Sequence, residues 1–233
     1  MASKGKSPKT PKSKSSNKRE SFTPSPSQRD FPRSRPTCDV AKRVRDLCAT
    51  WHELVQKWTN LNSLGTTVAN KLMNLQLQKQ YSDLEDSNSV TVMNDMSQTA
   101  SSDFEEQVLK TLEELSKILS KMAEIHKKME SLTKSFQAAE KLKQFKEKED
   151  LFDHETETVF NTWPVNEYYS SSEKLHTMFG KELELKQKIF PYFTKTNDRN
   201  ILLVYLSLWL HEPYLSDEKD VLLESMLIET ELR

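Results

Sequence analysis

From Val40 to Lys79 the chain reads VAKRVRDLCATWHELVQKWTNLNSLGTTVANKLMNLQLQK. Val40, Val44, Leu47, Trp51, Leu54, Trp58, Leu61, Gly65, Val68, Leu72, Leu75 and Lys79 follow one another in steps of four and three without a slip. That spacing keeps one side of a helix against a partner helix. Only Gly65 and Lys79 supply no apolar side chain. At about 1.5 Å per residue the helix spans roughly 60 Å, too long and too one-sided to be the buried helix of a globule. It requires a second helix to cover its seam.

The chain supplies a match. Phe104, Val108, Thr111, Leu115, Ile118, Met122, Ile125, Met129, Leu132, Phe136 and Ala139 repeat the same steps over residues 103–146, with Ser102 or Asp103 as the expected N-cap. Residues 80–102 are polar and turn-prone and read as a linker. Folding there lays the seams antiparallel, for instance with Trp58 near Ile125 and Trp51 near Leu132, although a shift of one heptad is equally allowed. Two indoles one heptad apart are awkward in a symmetric parallel dimer, where identical residues face each other. Gly65 either admits a bulky neighbour or breaks the helix between Asn62 and Thr66. Thr37 or Asp39 is the expected cap of the first helix. Arg45-Asp46-Leu47 matches a short cyclin-docking pattern, but its leucine belongs to the seam.

Composition agrees with an all-α fold. The 233 residues include only three glycines, and 30% are charged. Gly5, Gly65 and Gly180 lie too far apart to form a phosphate-cradling loop. Residues 1–37 hold ten Lys/Arg against Glu20 and Asp30, about +8, so the remainder carries about −9 of the formal −1. This Lys/Ser/Pro-rich tail has little to bury and is expected to be disordered. Its Ser-Pro and Thr-Pro pairs make Ser7, Thr10, Thr23 and Ser25 candidates for proline-directed phosphorylation. Its charge suits nuclear import or loose, salt-sensitive attraction to nucleic acid. Cys38 and Cys48 form neither a disulfide framework nor a zinc set, which suits a reducing compartment. The most apolar run, Ile201–Leu210, is half the length of a membrane span, and no secretory signal is visible.

The last third reads as an acidic linker over 147–167, closed by an extended Trp163-Pro164 anchor, and a bundle of three short helices over 168–233. Ser170-Ser171-Ser172-Glu173 has the form of a capping box for the first. Asn197 or Asp198 caps the second, whose run to His211 is apolar on several sides and is expected to be well buried. Ser216 or Asp217 starts the third. The bundle is too small to stand alone and is expected to pack on the hairpin or on a partner. No metal-binding, nucleophile-elbow or other catalytic pattern is present, and His52, His126, His154, His176 and His211 are scattered. The reading is a non-enzymatic protein without cofactor.

Trp51-His52-Glu53-Leu54, Lys57-Trp58, Leu61-Asn62 with Gly65, Thr162-Trp163-Pro164, Lys181-Glu182-Leu183, Trp209-Leu210-His211 with Pro213-Tyr214, and Leu223-Glu224-Ser225-Met226-Leu227 form a set of specific strings. Together they resemble the cyclin-dependent kinase 2-interacting protein family. The resemblance covers roughly residues 40–79 and 160–230. It implies a nuclear adaptor associated with cyclin-dependent kinase 2 and the Cdc7 kinase, with ATR-interacting protein, and with AAA+ ATPases of the spermatogenesis-associated type. DNA replication, the replication-stress checkpoint and maturation of the large ribosomal subunit are the processes it implies. For such an adaptor the expected contacts are neighbours of the aromatic anchors: His52, Trp163, Pro164, His211, Pro213, Tyr214 and Glu224. The alternatives are nucleic-acid binding through the basic tail and a structural coiled-coil homodimer.

Overall fold

The computed structural model describes residues 36–88, 96–149 and 160–233, and every described element is a helix, turn or bend. Six helices follow in order: α1 (Pro36–Asn88), α2 (Met96–Glu149), α3 (Val165–Ile189), the single turn α4 (Tyr192–Lys195), α5 (Arg199–His211) and α6 (Glu218–Glu229). The expected disordered tail and its phosphorylation candidates Ser7, Thr10, Thr23 and Ser25 lie outside the described residues.

Both long helices outrun their expected limits. α1 begins at Pro36, which suits the first helical position because its missing N–H would be unpaired there anyway. Thr37 and Asp39 are therefore inside the helix rather than caps. α1 continues to Asn88, and α2 starts at Met96, not after Ser102 or Asp103. No Gly or Pro occurs in residues 80–102 to stop propagation. Much of the expected linker is thus helix.

α1 and α2 pack on each other along the expected seams. Lys79 Nζ lies 3.6 Å from Glu105 Oε1, which sets the antiparallel register. Near the other end, the Trp51 Nε1–H donates to Ser172 Oγ at 3.0 Å, and Ser172 Oγ lies 2.8 Å from Thr133 Oγ1. Trp51 therefore stands level with Leu132–Thr133, as the expected register has it. From Val44 to Leu75 the α1 seam is buried apart from Leu47 and Leu61, which are half-buried.

α3 completes an up-down-up arrangement. Pairs such as His126 with His176 and Gln137 with Tyr169 place it antiparallel to α2. It starts directly after Pro164, whose extended backbone (φ −72°, ψ 161°) turns the chain into the helix. The supposed capping box is thus inside α3, with Ser171 and Ser172 buried. Its true seam is Val165, Tyr168, Ser172, Leu175, Phe179, Glu182, Lys186 and Ile189. Trp51 and Trp58 bridge from α1 to Phe179, at 6.3 and 5.0 Å between ring centroids, so the two indoles face a different surface rather than each other.

α1 also buries a second stripe, Cys48, Val55, Asn62, Ala69 and Gln76, spaced by seven residues. α5 and α6 pack along α1 as well. Gly65 stays helical and admits a bulky neighbour: a Cβ placed there would stand 2.7 Å from Trp209 Cζ2. The C-terminal helices thus lie on the hairpin.

Candidate interaction surface

α5 begins as expected from Asp198, whose carboxylate accepts the N–H groups of Asn200 (2.8 Å) and Ile201 (3.4 Å). Its burial is not as expected. Only Leu202 and Trp209 are buried, while Ile201 and Leu203 (42% each), Leu210 (49%) and Val204 (56%) are exposed. Trp209 alone fills the notch at Gly65, and Tyr205 packs edge-on against Phe193. Leu206 and Leu208 are half-buried against the core as well, and the remaining apolar side chains of the helix face outward. An apolar run longer than its contact face must turn part of itself outward. Leu203 and Leu210, about two turns apart, then face outward on one side of α5, with Val204 exposed on the same helix and Tyr214 on the turn after it, exposed apolar side chains of the kind that mark a protein contact.

A buried ionic cluster holds this helix to the body. Lys186, on α3, is fully buried. Its Nζ donates to Trp209 O (2.7 Å) and Asn62 Oδ1 (2.8 Å), and it lies 3.2 Å from Glu182 Oε1 and 3.6 Å from Glu212 Oε1. The ammonium also lies 5.0 Å from the Trp209 ring centroid. Glu212 receives the Trp58 Nε1–H at 2.7 Å, and Glu182 Oε2 receives the Tyr214 N–H at 3.1 Å. Glu212 has a left-handed backbone (φ 46°) that ends α5 and turns its carboxylate inward. Burial pushes the Glu182 carboxyl up and the Lys186 ammonium down, and the facing opposite charges resist both shifts. Such a cluster adds little net stability over apolar packing, but it specifies one arrangement, because any other leaves a charge buried alone.

The seven expected contact residues fall into three places. His211, the last residue of α5, and Pro213 and Tyr214, on the turn to α6, are exposed and held from beneath by the Lys186 cluster. His52 and Glu224 come together across a groove between α1 and α6. Trp163 and Pro164 stand apart from both. The indole is half-buried edge-on to Tyr168 at 5.3 Å, and the Glu229 carboxylate accepts the Thr162 and Trp163 N–H groups (2.9 and 3.1 Å). Trp163 thus packs against the core. Trp51, Trp58 and Trp209 are buried, and Arg45, next to half-buried Leu47, donates to Glu231 O at 3.2 Å. The exposed apolar residues Leu203 and Val204 escaped the sequence reading, because apolar side chains on several faces of one helix look like a core helix.

Among the described residues no group of three or more His, Cys, Asp or Glu is placed to hold a metal, and no helix is long and apolar enough to cross a membrane. The exposed apolar side chains of α5 and its turn stand out on this surface. A human cyclin-dependent kinase 2-interacting protein is 34% identical over 193 residues, covering 82% of this chain and 89% of the relative. The bovine and Xenopus laevis proteins of that name are 33% identical, over 191 and 193 residues, again covering 82% of this chain and 89% and 88% of theirs. The chain belongs to the cyclin-dependent kinase 2-interacting protein family. No family model matches it. The shared span, 82% of the chain, is much longer than either long helix, so the match is not confined to one heptad helix. Its relatives are named for a binding partner rather than for a reaction.

Proposed function

We propose that this protein is a non-enzymatic, nuclear adaptor that docks cyclin-dependent kinase 2 on the exposed apolar face of α5 and the turn after it. The observation that carries this reading is the exposure of Leu203, Val204 and Leu210 on a helix whose C-terminal end, with Tyr214 exposed just beyond it, is fixed by the buried cluster. Family membership supplies the occupant, since the relatives are named for that kinase. The α1–α2 hairpin carries the docking helix and leaves the long outer faces for further proteins. Cdc7 kinase, ATR-interacting protein and AAA+ ATPases of the spermatogenesis-associated type are the partners we propose for those faces. Their work would lie in DNA replication, its checkpoint and maturation of the large ribosomal subunit. The Lys-rich tail supports a nuclear address. The test is capture of purified cyclin-dependent kinase 2, with and without cyclin, by full-length protein and by its Val204→Asp and Leu210→Asp variants. Loss of capture by variants that melt like the parent supports the reading; undiminished capture moves the kinase to another face.

A further inference from the structure

We propose that the groove between α1 and α6 takes a short partner segment in which an arginine or lysine is flanked by aliphatic residues. Arg45 on α1 donates to Glu231 O, just after α6, so α6 runs back along α1. That leaves a groove of about 360 Å³ whose wall on α1 extends from His52 to Asn60. This length of helix is about 12 Å, room for about four residues of extended chain. The floor is apolar: Val55, Leu223 and Leu227 line it. The rim is polar and carries acid from α6. Glu224 stands on it, and Asp220, which pairs with Lys219 at 3.2 Å, stands one turn earlier.

The chain itself shows what Glu224 accepts. The Arg233 guanidinium reaches into the groove and pairs with the Glu224 carboxylate. This intramolecular contact is exposed on both sides, with relative side-chain accessibilities of 59% and 44%, so it is weak and replaceable. A guanidinium offered by another chain meets the same acceptor, and its aliphatic neighbours meet the edges of Val55, Leu223 and Leu227 that line the groove. Arg233 thereby acts as an internal competitor. The His52 ring, 3.2 Å from Gln56 Nε2, fixes the opposite wall. This assignment rests on the adaptor reading for its purpose, but its test needs no kinase. Failure here therefore leaves the α5 face standing, and failure of kinase capture leaves the groove standing.

The probe is a fluorescein-labelled peptide, Leu-Ala-Arg-Leu, titrated against full-length protein by anisotropy beside its glutamine counterpart, Leu-Ala-Gln-Leu. The arginine peptide is expected to bind about threefold tighter, in line with an exposed charge pair. Arg233→Ala tightens the arginine peptide by about two- to fivefold, Glu224→Gln weakens it by a similar factor, and in the Glu224→Gln background Arg233→Ala changes nothing. Both variants are surface changes, checked by an unchanged melting curve. Should Glu224→Gln melt early, the Arg233→Ala result and the peptide pair still decide. Equal affinity for the two peptides, indifference to Arg233, or no saturation up to about 1 mM each overturns the proposal.

Discussion

α3 and α5 invert each other. α3 buries Ser172, Glu182 and Lys186 in its seam, whereas α5 exposes Ile201, Leu203, Val204 and Leu210. A helix governed by burial of its own apolar groups would do neither. The polar seam of α3 buys definition: Ser172, Glu182 and Lys186 are each met by a named partner on α1, α2, α5 or the α5–α6 turn. The apolar surface of α5 is burial that this chain leaves unused.

The comparison breaks most forcefully at Lys186. Lys186→Met leaves Glu182 and Glu212 facing each other without their cation and is expected to cost about 3–5 kcal/mol in urea unfolding. Adding Glu182→Leu should recover part of that loss, because the uncompensated charge is then gone. Next comes Gly65→Ala. Its Cβ would stand 2.7 to 2.9 Å from three Trp209 ring atoms, so the indole must leave its notch. Helix propensity favours Ala by about 1 kcal/mol, yet overpacking at about 1–3 kcal/mol wins. A drop in melting temperature with a changed Trp fluorescence spectrum is expected.

Of similar size is Ser172→Ala, which strips a hydrogen bond from buried Trp51 and Thr133 and should cost about 1–2 kcal/mol in urea unfolding. On the other side of the comparison, Val204→Asp should move stability by no more than about 0.5 kcal/mol. A large loss there would mean that α5 is covered by this chain after all.

The faintest effect is one of pH, at the α2–α3 interface. His126 and His176 stack at 4.4 Å, the His126 Nε2–H donates to the His176 carbonyl at 3.3 Å, and His176 Nε2 is buried without a hydrogen-bond partner. Burial, then the neighbouring His126, holds the His176 pKa below its usual 6.5, with Glu130 and Glu173 opposing and Lys134 adding to the shift. Below pH 6.5 the unfolded chain takes up a proton that the folded chain refuses. Stability therefore falls as the pH drops through that value and levels off below the folded pKa. His176→Phe should flatten this part of the melting-temperature profile.

How far the sequence could be read follows from the same inversion. The α1 and α2 seams were legible because nearly every inward position is apolar, and their matched lengths gave the antiparallel pairing but left its register open by one heptad. The seam of α3 was hidden because Ser172, Glu182 and Lys186 look like surface residues until Asn62, Thr133 and Trp209 are brought to them. The second stripe on α1, with Asn62 and Gln76 in it, was hidden for the same reason. α5 misled in the opposite sense, since apolar side chains on several faces cannot say which face is covered. His52 and Glu224 were legible as individual residues, but their meeting across one groove depends on how α6 lies on α1, which no local pattern encodes. Helix ends were missed where neither Gly nor Pro marks a stop.

Gly65 has one further consequence. Along the whole of α1, about 80 Å at 1.5 Å per residue, it is the single position without a side chain, and it receives Trp209. One heptad towards either end the same row holds Trp58 or Leu72, both fully inward, so the indole has no second seat. The glycine works as a keyway cut in a shaft: it gives α5 an axial address, about 44 Å from Pro36 and about 35 Å from Asn88. Whatever rests on α5 is thereby held at a set distance from both ends of the rod, and one missing methyl group keeps the measure.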